Sequence, residues 1–174
     1  MRYVALVAVP AGALFAFVFY ISVLAPGILR HQGQPAPEQP IRFDHRVHVL
    51  DNGIQCAMCH RDAAIAPDAG MPSVQQCMDC HQVVGATAHD PEIDKVRLAA
   101  AAQRPIDWQR VYALPDHVQF DHAAHIQAGV SCTECHGNVG EMREVTKKRA
   151  LNMNDCVDCH REHNAPTECA ECHY

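Results

Sequence analysis

The sequence predicts a mainly α and irregular fold with few or no strands, packed on covalent prosthetic groups and preceded by one N-terminal transmembrane helix. Three observations carry that reading. Five Cys-x-x-Cys-His motifs use every one of the ten cysteines. Aromatic residues make up only 6% of the chain and charged residues 20%, so a conventional core should be thin. The stretch Val4–Leu29 is almost wholly apolar, with no charged residue between Arg2 and Arg30.

The motifs are Cys56/Cys59/His60, Cys77/Cys80/His81, Cys132/Cys135/His136, Cys156/Cys159/His160 and Cys169/Cys172/His173. This spacing is the attachment signature of a c-type haem. Two intervening residues let the thiols span the two porphyrin vinyl groups, and the next residue places an imidazole under the iron. A disulfide scaffold has no use for the histidine that follows every second cysteine. Zinc half-sites or redox dithiols do not explain five copies with no cysteine left over. The chain therefore reads as a multihaem cytochrome c with five covalently attached haem c groups. Side chains should pack on porphyrin more than on each other.

The apolar N-terminus is long enough to span a bilayer at 1.5 Å per residue. It exceeds the hydrophobic region of a cleaved signal peptide, and no A-x-A site closes it. Residues 1–30 are expected to be a single-pass anchor in the bacterial cytoplasmic membrane. Haem attachment takes place outside that membrane, so the haem domain is expected on the periplasmic side. Residues 31–40 read as a Pro-rich extended linker. An internal repeat follows: Arg42-Phe43-Asp44-His45 opens one copy and Gln119-Phe120-Asp121-His122 the other. The expected divisions are a two-haem module at 41–91, a connector at 92–115 and a three-haem module at 116–174. The connector should hold a helix from Glu92 to Gln103, stopped by Pro105. The formal charge of −6 makes nucleic acid an improbable partner and suits a basic redox partner.

An iron that only passes electrons needs a second axial ligand. Eight histidines lie outside the motifs: His31, His45, His48, His89, His117, His122, His125 and His163. Two pairs repeat as Phe-x-His-x-x-His. At i and i+3 on a helical turn the two imidazoles share roughly one face, and each can reach a different iron.

This pattern resembles class III multihaem cytochromes c. That resemblance implies that His45 faces the His60 haem, His48 the His81 haem, His122 the His136 haem and His125 the His160 haem. It leaves the His173 haem without a repeat-derived partner. In small relatives the ligand for the last haem comes from just before the preceding motif. Here Met153 holds that place, with His163 as the rival, and a Met ligand would raise the potential.

The resemblance extends further. Gly70-Met71-Pro72-Ser73, Pro105-Ile106-Asp107-Trp108, Leu114-Pro115-Asp116 and the closing Cys172-His173-Tyr174 resemble ActA, the pentahaem subunit of alternative complex III. His117 departs from that pattern, which usually has an aromatic there. The resemblance implies a quinol:electron-acceptor oxidoreductase in which this chain is a haem wire without bond-making catalysis. Its implied partners are iron–sulfur and integral membrane subunits, and a monohaem cytochrome c, another soluble electron carrier or a terminal oxidase. The mass of the intact mature protein should exceed that of its polypeptide by five haem groups; a mass accounting for four or fewer would refute the motif count.

Overall fold

The computed structural model describes residues 12–24, 35–85 and 90–174. The chain divides into two compact units, 1–34 and 35–174. In the first, residues 12–24 are helical, and Tyr20–Leu24 is wound as a π-turn. Its apolar side chains are exposed, as Leu14 and Phe15 illustrate. Among the described residues no helix is long and apolar enough to cross a membrane. The rest of the expected 1–30 anchor lies outside the described residues, as do 31–34 of the linker, His31 and His89.

The second unit is built from short helices. A helical turn at 45–51 ends in the π-wound Val47–Asp51. Then come α1 (Cys56–Cys59), α2 (Val74–His81), α3 (Pro91–Ala101), α4 (His122–Gln127), α5 (Cys132–His136), α6 (Met153–Glu162) and α7 (Cys169–Cys172). A 3-10 turn, Val139–Glu141, separates α5 and α6. No strand forms among the described residues, and one antiparallel bridge joins Val118 to His173.

Each motif starts a helix or lies inside one, because one helical turn brings two thiols three residues apart onto the same face. Side chains cap three of the five helices that carry them, α2, α5 and α6. Ser73 accepts from the Gln76 amide at the start of α2, and Ser131 from the Thr133 amide at α5. Asn152 and Asp155 cap α6 reciprocally. Such caps are worth about 1 kcal/mol each. The connector helix α3 begins one residue earlier than expected, with Asp90 as cap and Pro91 in the first turn. It packs against α2.

The Pro-rich linker is docked where it is described. Gln39 donates to the Gln109 carbonyl at 2.9 Å and accepts from the Gln109 amide at 2.9 Å. Lys95 donates to the Pro40 carbonyl at 3.2 Å. Composition alone reads as a spacer, but these bonds come from the connector.

The polypeptide makes little core of its own. Among the described residues only Ile41, Val96 and Ala123 are buried apolar side chains, and none is fully enclosed. Three small contacts cannot offset the conformational entropy of the unit, so its apolar mass must come from porphyrin. Preventing covalent haem attachment, by expression without the maturation machinery, should leave a chain lacking native-like circular dichroism; a folded haem-free form would overturn this.

Candidate haem-binding sites

All ten cysteines are free thiols, so none is spent on a disulfide. Burial pushes Cys59, Cys77, Cys132, Cys135 and Cys156 upward, which keeps these thiols protonated near neutral pH. Cys56, Cys80, Cys159, Cys169 and Cys172 complete the five pairs. Among the described residues no group of three or more His, Cys, Asp or Glu converges as a bare metal ion would require. A porphyrin supplies four iron ligands itself and asks the protein for only two.

Eight of the described histidines are held in one tautomer. A carbonyl oxygen can only accept, so a ring Nδ1 bonded to it carries the proton and leaves Nε2 bare for a metal. Among the motif histidines, His60 donates from Nδ1 to the Gly70 carbonyl at 2.8 Å, and His81 to Val84 at 3.2 Å. His160 donates to Pro166 at 2.5 Å, and His173 to His117 at 3.3 Å. Gly70 holds the left-handed backbone that glycine favours, at φ +74, and a Cβ there would come within 2.7 Å of the Asp62 carboxylate.

The Phe-Asp-His-x-x-His repeats build the opposing side. Each Asp caps its own turn. Asp44 accepts from the Arg46 amide at 2.9 Å, and Asp121 from the Ala123 amide at 2.8 Å. The Asp carbonyl then receives Nδ1 of the second histidine: His48 to Asp44 at 2.9 Å, His125 to Asp121 at 2.7 Å. The phenylalanine fixes both rings. Phe43 stacks on His48 and meets His45 edge-on, at 4.3 and 4.8 Å between centroids. Phe120 treats His125 and His122 the same way, at 4.6 and 4.8 Å. The first histidines differ. His122 donates from Nδ1 to the Pro67 carbonyl at 2.8 Å, while Nδ1 of His45 is buried without a partner.

Two imidazoles on opposite sides of one iron, each about 2 Å from it, stand about 6 Å apart between centroids. The structure sets His48 and His81 6.0 Å apart, His122 and His136 6.3 Å, and His125 and His160 6.0 Å. His45 is pushed down to about 4, first by burial and then by His60 and His48. His136 is pushed down by burial, then by His122 and His60. Both effects favour the neutral imidazole that a metal needs. These residues fit the haem group: three pairs could each hold an iron between two imidazoles, and His45 lies near enough to His60 to be influenced by it.

The fifth site is built differently. Met153 is the first residue of α6 and is exposed. It follows Leu151, whose backbone is left-handed at φ 51. His163 ends α6 and donates from Nδ1 to the Cys159 carbonyl at 2.9 Å, the same i−4 bond that His48 and His125 make. The imidazole that stacks on His173 is His117, at 5.5 Å and 19°. Its place at the fifth site escaped the sequence reading, and only its unusual position before the second repeat hinted at a role. Tyr112 also went unselected. It packs edge-on against His136 at 4.6 Å, donates to the Cys135 carbonyl at 3.3 Å and accepts from the Lys148 amide at 2.8 Å.

The family model described as cytochrome c7 and related cytochrome c matches residues 41–100 and 118–174, one stretch for each repeat. The chain is also similar to the multihaem cytochrome c subunit of a menaquinone reductase from Nitratidesulfovibrio vulgaris. The two are 31% identical over 165 aligned residues, covering 78% of this chain and 77% of the relative.

Replacing His48 or His125 by Ala should convert one haem to high-spin iron in electron paramagnetic resonance, with the protein still folded. An unchanged low-spin spectrum in both variants would remove these residues from the ligand set. Met153→Ala should abolish any thioether-to-iron charge-transfer band in the red; a retained band would exclude Met153.

Proposed function

This chain belongs to the family of cytochrome c7 and related cytochromes c, and from that membership we propose that it is the pentahaem electron-transfer subunit of a membrane quinol:electron-acceptor oxidoreductase. The observation that carries the proposal is the set of three opposed histidine pairs about 6 Å apart, in which five of the six rings give Nδ1 to a backbone carbonyl. The proposed pairing sets His45, His48, His122 and His125 opposite the proximal His60, His81, His136 and His160. The haem supplies the one-electron couple. The protein positions the iron, keeps it six-coordinate and so limits rearrangement between oxidation states. Met153 completes the fifth site opposite His173.

Two quinol-linked settings follow from different observations. The flanking motifs from Gly70 to Tyr174 favour alternative complex III, with an iron–sulfur subunit upstream and a cytochrome c, another carrier or a terminal oxidase downstream. The similarity to a menaquinone reductase subunit favours a related quinol-linked complex. In both, the apolar run from Val4 to Leu29 anchors the chain in the cytoplasmic membrane with its haems outside.

Purification from native membranes should retain iron–sulfur and polytopic membrane subunits, and a quinol should reduce the haems only in their presence. A chain that purifies alone, with haems no quinol complex can reduce, would defeat the proposal. The identity of the retained subunits separates the two settings. Alkaline washing should leave the chain in the membrane with Val4–Leu29 intact; release of a chain cleaved after that run would defeat the anchor.

A further inference from the structure

We infer that the two repeats face each other across a pseudo-two-fold axis, so that electrons cross between them by way of the His60 and His136 sites and the His81 site is a terminus. Chain order would instead hand electrons from the His81 site to the next motif, at His136. The inference rests on the haem-relay reading and adds the order of the relay to it.

The contacts between the repeats are reciprocal. The residue after the first histidine of each repeat donates its amide to a carbonyl six residues past the first motif histidine of the other. Arg46 donates to Met142, six past His136, at 3.2 Å, and Ala123 donates to Ala66, six past His60, at 3.2 Å. The seventh residue is engaged on both sides. Pro67 accepts from the His122 amide at 3.1 Å and from its Nδ1 at 2.8 Å, while Arg143 reaches Asp44 at 4.0 Å. The fourth residue is engaged too. The Ala64 carbonyl accepts from Gln127 at 2.9 Å, and Gly140 lies so close to Val49 that a Cβ would come within 2.8 Å of it. Two elements that each grip the same offsets in the other are related by a two-fold operation.

Within each repeat the second site hangs on the first. Gln76, just before Cys77, donates to the Met58 and Cys59 carbonyls at 2.7 and 3.2 Å. Arg149 spans the corresponding positions in the other repeat, donating to the Glu134 and Asp155 carbonyls at 3.4 and 3.5 Å. The His81 site therefore attaches through the His60 site, and the His160 site through the His136 site. The seven residues from Thr167 to His173 place the last site on the His160 side, where Val118 bridges His173. Each hop oxidises one iron by one electron and reduces its neighbour by one. The quinol complex and the acceptor of the proposed function supply the first donor and the last acceptor.

The test is a stepwise reductive titration of the full haem-loaded chain, followed by the haem methyl resonances in paramagnetic nuclear magnetic resonance. Reduction of the His136 haem should shift the midpoint of the His60 haem more than that of the His81 haem. The His122→Met variant makes the His136 haem reduce earlier, and the His60 haem should again respond while the His81 haem does not. A stronger interaction between the His136 and His81 haems, in wild type or variant, overturns the inferred junction. That outcome leaves the relay reading standing, whereas high-spin or missing haems in the wild type would strike the relay reading itself.

Discussion

The Nδ1–H to backbone carbonyl bond is the interaction on which the rest depends. Iron in a porphyrin binds a bare imidazole nitrogen, and an imidazole free in solution offers either nitrogen and any orientation. In this chain His48, His60, His81, His122, His125, His160, His163 and His173 each give Nδ1 to a carbonyl. That choice fixes the tautomer, aims Nε2 and raises ligand basicity, and losing such a partner typically weakens a metal site by about 10–100-fold. It also explains much of the loop structure. Pro67, Gly70, Val84 and Pro166 lie in irregular segments, and their carbonyls are delivered to rings rather than to a sheet.

A second economy lies in the Phe-Asp-His-x-x-His turn. One short segment caps itself through the aspartate side chain, orients its second histidine through the aspartate carbonyl and holds both rings with one phenylalanine. The two copies do this with different backbones, a π-wound turn in the first and an α-helical turn in the second. Ring placement is thus conserved between the copies while helical winding is not. That is expected when the side-chain bonds, and not the helix hydrogen bonds, set the geometry.

What the sequence revealed follows the range of the interaction. Cys-x-x-Cys-His and Phe-Asp-His-x-x-His are local devices, closed within five or six residues, and their spacing is visible without a structure. The Asp90 cap and Pro91 at the start of α3 are equally local, although the expected helix began one residue later, at Glu92. The Gly70 carbonyl beneath His60 was visible only as part of a motif, with no role attached. The reciprocal grip of the repeats joins residues such as Arg46 and Met142, or Ala123 and Ala66, through backbone amides and carbonyls. Backbone groups are the same in every residue, so no composition or periodicity signals which will pair. The docking of Gln39 on Gln109 was hidden for the same reason, and the proline content around it pointed toward a free spacer.

The fifth site shows what happens when a duplicated unit gains a motif without gaining a clamp. In the proposed pairing the four repeat-derived histidines serve four motifs, so Cys169-Ala170-Glu171-Cys172-His173 has to draw on other surroundings. It takes the His117 carbonyl for the His173 Nδ1 and the His117 ring as a stacking neighbour. His117 stands just before the second Phe-Asp-His-x-x-His, so the borrowed contact links the last motif to the turn that carries His122 and His125. A thioether from Met153 would set this iron at a higher potential than its bis-histidine neighbours. His163 would place it level with them, since its ring is locked by the same i−4 carbonyl bond as His48 and His125. The terminal motif thus differs from the others in origin before any difference in ligand is considered. A relay gains direction when its last site is not a copy of the sites that feed it.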